Sequence, residues 1–180
     1  NMRLTKRDLI KASGLVGVGA VGNLISSGAS MAASVDDLPN LAENAVPIST
    51  EERQARVARA QQLMRDQGIA ALLIEAGSAM VYFTGIRWWR SERLTGVVIP
   101  ADGEIAVVTP FFEEPSIRES MSFGDDVRTW HEHESPFDLV AGILKDRGLT
   151  GGKLAIEETV RHFIVDGVAN AAPQFDIVSG

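Results

Sequence analysis

The stretch from Ile69 to Pro110, IAALLIEAGSAMVYFTGIRWWRSERLTGVVIPADGEIAVVTP, decides the fold. Its first segment, Ile69 to Ile74, is a continuous apolar run, which is typical of a strand covered on both faces. Ala79 to Phe83 predicts a second strand or extended segment. Gly96 to Pro100 and Glu104 to Thr109 predict a hairpin, because the Asp-Gly pair between them favours a tight turn. The stretch therefore contributes a buried strand and a hairpin, with an aromatic and basic segment between them.

Upstream of this stretch, the sequence predicts a long helix. Ser49-Thr50-Glu51-Glu52 is a capping box, in which Ser49 caps the first turn and Glu52 reaches back to it. The helix is expected to continue to about Gln67, and Gly68 stands where a left-handed C-cap belongs. Four apolar residues are predicted to form its inward face: Val57, Ala60, Leu63 and Met64.

Downstream of the stretch, helices and strands alternate. The expected elements are a short helix over residues 112–121, a strand from Asp126 to Trp130, a helix from Ser135-Pro136 to Gly148, a strand from Lys153 to Glu157, a helix from Thr159 to Ala172 and a strand from Phe175 to Val178. The helix after Thr159 is predicted to turn Phe163, Ile164, Val168 and Ala172 inward. Alternating strands and helices with one hairpin predict an α/β domain, with a mixed β-sheet flanked by helices.

Composition and charge exclude several classes of protein. A chain of 180 residues is long enough for one domain with an adequate core. The net charge of −7 argues against nonspecific nucleic-acid binding, which needs clustered basic residues. Because the chain has no cysteine, it offers no disulfide framework, no thiolate metal site and no cysteine nucleophile.

Residues 1–34 predict an export signal. A basic start is followed by an uncharged, weakly apolar run from Ala12 to Ile25 and then by small residues, so cleavage is expected after Ala32. The start resembles a twin-arginine motif in which Lys6 replaces the first arginine, which leaves the export route open. The apolar run is too short and too rich in glycine for a stable membrane span. A cytosolic amphipathic helix is the alternative, and the glycines of the run disfavour it.

This layout predicts an exported protein, periplasmic or extracellular, with three parts in the chain. Residues 1–34 are the signal, residues 35–48 an extended lead-in and residues 49–180 a folded domain.

The order of motifs in residues 49–180 carries a family resemblance. Val81-Tyr82-Phe83-Thr84-Gly85 precedes Trp88 and Trp89, and the hairpin follows. Further along come Phe111-Phe112-Glu113-Glu114, Trp130, Ser135-Pro136 and Leu154-Ala155-Ile156-Glu157. This ordered set resembles the N-terminal domain of the creatinase, prolidase and Xaa-Pro aminopeptidase family, the pita-bread metallopeptidases.

The resemblance implies that catalysis belongs to a second, C-terminal domain that is absent from this chain. In that domain two Asp, one His and two Glu would hold two divalent metals, Mn, Co or Zn, which activate water and polarise the scissile carbonyl. No catalytic or metal-binding residue is therefore assigned within the 180 residues. The expected partners are this catalytic domain, a second copy of the chain in a homodimer, and a peptide substrate.

The candidate site residues are Arg87, Trp88, Trp89 and Arg90. Two adjacent tryptophans cannot both face one core, so at least one is expected at a surface, and Arg and Trp are enriched at interface hot spots. The resemblance implies that this segment reaches the rim of a neighbouring subunit's active site and helps to hold substrate. The alternative is structural, with Trp88 in the core and Arg87, Arg90 and Arg93 solvated or paired with Glu92.

Other polar clusters are interpreted as structural. His131 and His133 would share a face if the strand continued, but spacing indicates no third metal ligand, so they are interpreted as a polar strand end. The pairs Glu113-Glu114 and Glu157-Glu158 lie at element ends, where acids favour a following helix.

The predicted function is the N-terminal, non-catalytic domain of an exported Xaa-Pro dipeptidase- or aminopeptidase-like metallohydrolase, which pairs subunits and closes the substrate pocket. Two alternatives stay open: a stand-alone binding or assembly module of the same fold, and a creatinase-like hydrolase of a small C–N substrate.

Overall fold

The computed structural model describes residues 39–180, so the predicted export signal lies outside the described residues. Within them the helices are α1 (Thr50–Gln67), α2 (Ser78–Thr84), α3 (Glu114–Ser120), α4 (Pro136–Asp146) and α5 (His162–Ala171), and a 3-10 turn, Phe111–Glu113, precedes α3. The strands are β1 (Ile69–Glu75), β2 (Gly96–Pro100), β3 (Ala106–Pro110), β4 (Val127–Trp130), β5 (Gly152–Ile156) and β6 (Phe175–Ser179). Among residues 39–180, no helix combines the length and the apolar character that crossing a membrane requires.

The strands form one six-stranded sheet in the order β4-β3-β2-β1-β5-β6. The pairs β1–β2 and β2–β3 are antiparallel, whereas β3–β4, β1–β5 and β5–β6 are parallel. The prediction of a mixed sheet with one hairpin is therefore confirmed. All the strands except β2 end at the same edge of the sheet, and β2 begins there. This edge is called the C-terminal edge below.

Each face of the sheet packs against its own helices, because residues along the central strands alternate between two apolar clusters. In β1, Leu73 belongs to the cluster under α4 and α5, and Ile74 belongs to the cluster under α1, α2 and α3. In β2, Val98 faces the first cluster and Val97 the second. These four side chains are fully buried, so the continuous apolar runs reflect a strand pair covered on both faces.

The prediction of a strand or extended segment at Ala79–Phe83 is wrong, because these residues lie in helix α2. Its buried residues, Met80 and Thr84, are four positions apart, and the Thr84 hydroxyl donates to the Met80 carbonyl at 2.7 Å. Two arginines of α1 donate to carbonyls near the end of α2, Arg53 to Val81 and Arg56 to Tyr82. Cations at a helix C-terminus satisfy its free carbonyls and favour its dipole, which offsets the strand preference of the local sequence.

The predicted inward faces of two helices are each wrong at one position. Phe163 on α5 is 47% exposed, and the Arg161 guanidinium lies 4.8 Å from its ring centre. Leu63 on α1 is 41% exposed, although Val57 and Met64 are buried as expected. Helix α5 also begins at His162 instead of Thr159, because the Thr159 hydroxyl is hydrogen-bonded to Glu157 at 2.7 Å in the preceding turn.

The predicted helix caps are confirmed in part. Ser49 Oγ accepts from the Glu52 amide at 3.1 Å, and Gly68 ends α1 with a φ of 67°. The Glu52 carboxylate pairs with Arg56 one turn later, which replaces the predicted contact back to Ser49. Before α1, a turn places the Glu43 amide 3.2 Å from the Asn40 carbonyl, so the described part of the predicted extended lead-in is not extended throughout.

Asp126, directly before β4, joins the sheet to α4. Its carboxylate accepts hydrogen bonds from Arg128 at 3.0 Å and from Arg147 at 2.6 Å. Burial raises the pKa of the Asp126 carboxyl, but the hydrogen bonds from Arg128 and Arg147 outweigh burial, so its pKa is lower than usual. The folded state therefore stabilises the ionised form of this carboxyl.

We expect Asp126→Asn to lower the free energy of unfolding by about 1–2 kcal/mol at pH 7. The pKa of the Asp126 carboxyl is lower in the folded state than in the unfolded chain, where it is about 3.9. The carboxylate therefore stabilises the folded state fully above about pH 3.9, and this stabilisation is lost as the pH falls through the folded-state pKa. Urea denaturation from pH 7 down to about pH 3 measures it. The exposed Asp176→Asn is the control, and a loss that stays constant with pH would contradict the assignment.

Candidate functional site

The C-terminal edge of the sheet brings together segments that are far apart in sequence. Glu75 ends β1, residues 157–161 follow β5, and the segment Ile86–Arg93, called the tip below, leads into Leu94, Thr95 and β2. In open α/β sheets, ligand sites lie outside the carboxyl ends of the strands. The candidate site residues predicted from sequence, Arg87 to Arg90, lie in the tip and hence at this edge.

Trp88 and Trp89 point in different directions. Trp88 is partly buried and packs against the cluster under α1, α2 and α3, whereas Trp89 is 88% exposed. The prediction that at least one of the two tryptophans lies at the surface is confirmed. Ile86, the first residue of the tip, and Leu94, which directly follows it, are fully buried, so both ends of the tip are fixed in the domain.

Glu75 is a carboxylate buried at the base of the tip, with only 1% of its surface exposed. Arg161 donates to Glu75 Oε1 through Nε at 2.9 Å and also through Nη2. The Arg90 Nε lies 3.5 Å from Glu75 Oε2. A buried charge is tolerated when it is paired and hydrogen-bonded, and Glu75 is both.

Arg90 also contacts the segments that follow β1 and β5. Its Nε donates to the Ala76 carbonyl at 3.1 Å, and its Nη2 donates to the Thr159 hydroxyl. The Glu157 carboxylate lies 3.9 Å from Nη2. One side chain of the tip thus reaches both neighbouring segments of the C-terminal edge.

Two clefts flank Trp89. One, of about 470 Å³, is lined by Gly77, Ser78, Val81, Arg87, Trp88 and Trp89. The other, of about 510 Å³, is lined by Ala76, Gly77, Ser78, Ala79, Trp89, Arg90, Glu157 and Thr159. An exposed indole between two clefts, with guanidinium groups on either side, is suited to binding an apolar or anionic group. These residues do not provide the paired acid and base that catalysis would need.

Aromatic rings and a second carboxylate occupy the other half of the edge. Phe111 stacks on His131 with ring centres 4.3 Å apart, and His131 lies 5.8 Å from His133. Glu113 Oε2 accepts from the hydroxyls of Thr95 at 2.8 Å and Thr109 at 3.1 Å. The interpretation of Glu113 as structural agrees with this position under the strand ends.

Arg93, the last residue of the tip, pairs with two acids. Its Nε donates to Glu132 at 2.7 Å, and its Nη1 pairs with Glu92 as the structural alternative predicts. The hydrogen bond to Glu132 raises the pKa of Arg93 above its usual value, so the Arg93 guanidinium stays charged.

The described residues do not provide the metal site that the family resemblance implies. Residues 39–180 contain no group of three His, Asp or Glu side chains placed to hold a metal ion. His131 and His133 lie in the turn after β4, and Glu134 accepts from the His131 amide at 2.7 Å. A dinuclear metal centre therefore does not fit this part of the chain.

Sequence reasoning placed the tip at a surface but missed the residues that hold it. Glu75, Thr159 and Arg161 were not predicted as part of the site. One sequence feature could have indicated Glu75: it is a single carboxylate at the end of an otherwise apolar strand, and a charge in that position needs a partner. Nothing in the local pattern indicates that the partners lie 86 residues away at Arg161 and 15 away at Arg90.

Comparisons with known proteins agree with this fold. An uncharacterized peptidase of Schizosaccharomyces pombe is 32% identical over 148 residues, which are 74% of this chain and 32% of that protein. The probable dipeptidase PepE of Mycobacterium tuberculosis is 36% identical over 91 residues, 49% of this chain and 24% of that protein. The crystal structure of dipeptidase PepE from Mycobacterium ulcerans matches with a TM-score of 0.63 and 30% identity, over 70% of this chain and 34% of that chain.

This chain therefore spans about a third or less of the length of these relatives. The model of the Creatinase/Prolidase N-terminal domain matches residues 56–179, which include every strand of the sheet. The fold class and the family resemblance predicted from the motifs are both confirmed, and the chain belongs to the Creatinase/Prolidase N-terminal domain family.

Proposed function

We propose that this chain is the N-terminal, non-catalytic domain of an exported Xaa-Pro dipeptidase- or aminopeptidase-like metallohydrolase. In that role it pairs subunits and closes one side of the substrate pocket. The observation that carries the proposal is Trp89, an 88% exposed tryptophan fixed at the C-terminal edge between two clefts. A tryptophan exposed to this extent lacks about 2–3 kcal/mol of the free energy that burial of its side chain would give, and contact with a partner would recover it.

The direction of strand β6 is compatible with a C-terminal domain beside the tip. Strand β6 ends at Ser179 on the C-terminal edge, and the Gly180 amide donates to the Ile156 carbonyl at 2.9 Å. A polypeptide that continues past Gly180 therefore leaves the domain on the side of the tip. Hydrolysis by two divalent metals is proposed for such a C-terminal domain, because the family resemblance places the metal ligands there.

The name dipeptidase that relatives carry supports the choice of peptide substrates over a small C–N substrate. Assay of the full-length product with Mn²⁺ against X-Pro dipeptides, longer X-Pro peptides and creatine tests the substrate class. The gene sequence beyond Gly180 and the intact mass of the native protein test the architecture. A continuation carrying two Asp, one His and two Glu ligands supports the proposal, and a stop codon after Gly180 indicates a stand-alone module.

Export is proposed from the basic, apolar and small-residue order of residues 1–34. Fractionation of cells that express the native gene, with N-terminal sequencing of the mature protein, tests this part separately. A mature N-terminus at Ala33 supports export, and an uncleaved cytosolic protein contradicts it.

We expect Trp89→Ala in the full-length enzyme to raise KM for an X-Pro peptide, or the dimer Kd, by about tenfold, as for a hot-spot tryptophan. Steady-state kinetics and sedimentation equilibrium measure the two quantities. Tyr82→Ala is the matched control, because Tyr82 is a half-exposed aromatic residue on α2 that packs beside Arg56 of α1. Unchanged KM and unchanged Kd in Trp89→Ala would refute the role of the tip.

A further inference from the structure

The tip has no regular secondary structure, so its position depends on side chains. Residues 86–93 belong to no helix or strand. Within residues 39–180, no backbone–backbone hydrogen bond outside helices and strands involves residues 87–93. A segment of this kind is ordinarily mobile, since few contacts oppose its conformational entropy.

Besides Trp88 and Arg93, Arg90 supplies contacts that hold the tip. Its guanidinium lies 3.5 Å from the buried Glu75 carboxylate and donates to the Ala76 carbonyl at 3.1 Å and to the Thr159 hydroxyl. These acceptors belong to the end of β1 and to the segment after β5, two parallel neighbours in the centre of the sheet. Arg90 therefore ties the tip to the ends of two neighbouring strands in the centre of the sheet.

The charges around Arg90 balance. Glu75 and Glu157 supply two negative charges, and Arg161 and Arg90 supply two positive charges. Arg161 alone already hydrogen-bonds Glu75 through two of its nitrogens, so the fold retains a partner for the buried carboxylate without Arg90. The contacts of Arg90 therefore serve to hold the tip, and Glu75 does not need them for its own pairing.

Trp89 lies between two immobilised neighbours. Trp88 is packed into the apolar cluster under α1, α2 and α3, and Arg90 is held by Glu75 and Thr159. The backbone of Trp89 is therefore fixed on both sides while its indole stays exposed. Fixing a binding residue before contact removes the entropy cost of ordering it on binding.

We propose that Glu75 and Arg90, with Thr159, are positioning residues that form a latch, which holds the tip so that Trp89 is presented in its binding position. The proposal rests on the proposed function for the use of Trp89, but the latch itself is a property of this domain. Glu75 is buried and acts through Arg90, whereas Thr159 both accepts a hydrogen bond from Arg90 and lines one of the two clefts beside Trp89.

The test uses a nitroxide spin label at position 89. Because the chain contains no cysteine, Trp89→Cys gives one labelling site without background. Electron paramagnetic resonance of the labelled domain then reports the mobility of the tip. Arg90→Met removes every hydrogen-bond donor but keeps most of the aliphatic length, and Arg87→Met is the matched control in the same segment, since Arg87 forms no ion pair within residues 39–180.

We expect Arg90→Met to shorten the rotational correlation time of the label about threefold and Arg87→Met to leave it unchanged. Arg90→Lys, which keeps the charge but loses the fork of donors, is expected to fall between wild type and Arg90→Met. Thr159→Val removes one hydroxyl contact at an exposed position and keeps the latch testable if Arg90→Met fails to fold. Equal mobility in Arg90→Met and Arg87→Met, or no change in both Arg90→Met and Thr159→Val, overturns the latch.

The full-length enzyme separates failure of the latch from failure of the proposed function. If the latch is right, Arg90→Met and Thr159→Val raise KM or the dimer Kd in the order of their label mobility, with kcat unchanged. Mobile labels together with unchanged KM and Kd in Trp89→Ala would support the latch and refute the use of Trp89. A Trp89→Ala defect without label mobility in Arg90→Met would support the function and refute the latch.

Discussion

Glu75→Ala is expected to lower the free energy of unfolding of the domain by about 3 kcal/mol. The substitution leaves Arg161 without its carboxylate and opens a cavity at the end of the central strand β1. Arg161 is about one-third exposed, so water solvates part of the released charge and keeps the loss at the lower end of the range for a broken buried pair. Urea denaturation at pH 7, followed by circular dichroism, measures the change.

The control for this substitution is Glu157→Ala, at the same edge. Glu157 is more exposed, and its carboxylate lies 3.9 Å from the Arg90 guanidinium, so we expect a loss below about 1 kcal/mol. Glu75→Gln, which keeps an acceptor for Arg161, is expected to fall between the two alanine variants. Equal losses for Glu75→Ala and Glu157→Ala would mean that the buried Glu75 pair stabilises the domain no more than the exposed Glu157 contact does.

Gly96→Ala is expected to lower the free energy of unfolding by about 3 kcal/mol, the upper range for an overpacked site. A β-carbon at residue 96 would lie 2.5 Å from the Ile74 carbonyl oxygen, and the clash is with backbone instead of a flexible side chain. Gly96 pairs with Glu75 across β1 and β2. Relief of the clash would therefore separate the two central strands beside the tip.

The matched control is the same substitution in helix α4. A β-carbon on Gly142 would meet no atom within 4 Å, so Gly142→Ala is expected to stabilise the domain by about 0.5–1 kcal/mol through helix propensity and unfolded-state entropy. Thermal and urea denaturation of both variants measure the two effects. A neutral Gly96→Ala would show that β1 and β2 can move apart without loss.

Most of the sheet could be predicted from the sequence. Apart from Ala79–Phe83, the predicted strands and the observed strands differ by about two residues or less at their ends, as is normal for element boundaries. Continuous apolar runs, the Asp-Gly hairpin and the Ser49 cap are local signals, and the structure confirms each of them. The surface position of one tryptophan also followed from adjacency alone, because neighbours along an extended segment point in opposite directions.

Helix α2 shows where local reasoning fails. Val81, Tyr82, Phe83 and Thr84 favour a strand, yet they are helical, and Arg53 and Arg56 of α1 donate to carbonyls of α2 from 28 and 26 residues away. The contacts of the candidate site could not be predicted for the same reason. Glu75 is paired with Arg161 over 86 residues, and Arg90 reaches Thr159 over 69.

The sequence by itself determined the family, the α/β class and the surface placement of the tip, because these depend on hydrophobic period, turn residues and the order of motifs along the chain. Only the tertiary structure decided that α2 is a helix and that Glu75, Arg90 and Thr159 meet beneath Trp89. The physical reason is that β1 and β5 become parallel neighbours, although more than seventy residues separate them along the chain. Whether charged residues at the ends of β1 and β5 pair depends on their distance in space, and the local sequence pattern does not contain that distance.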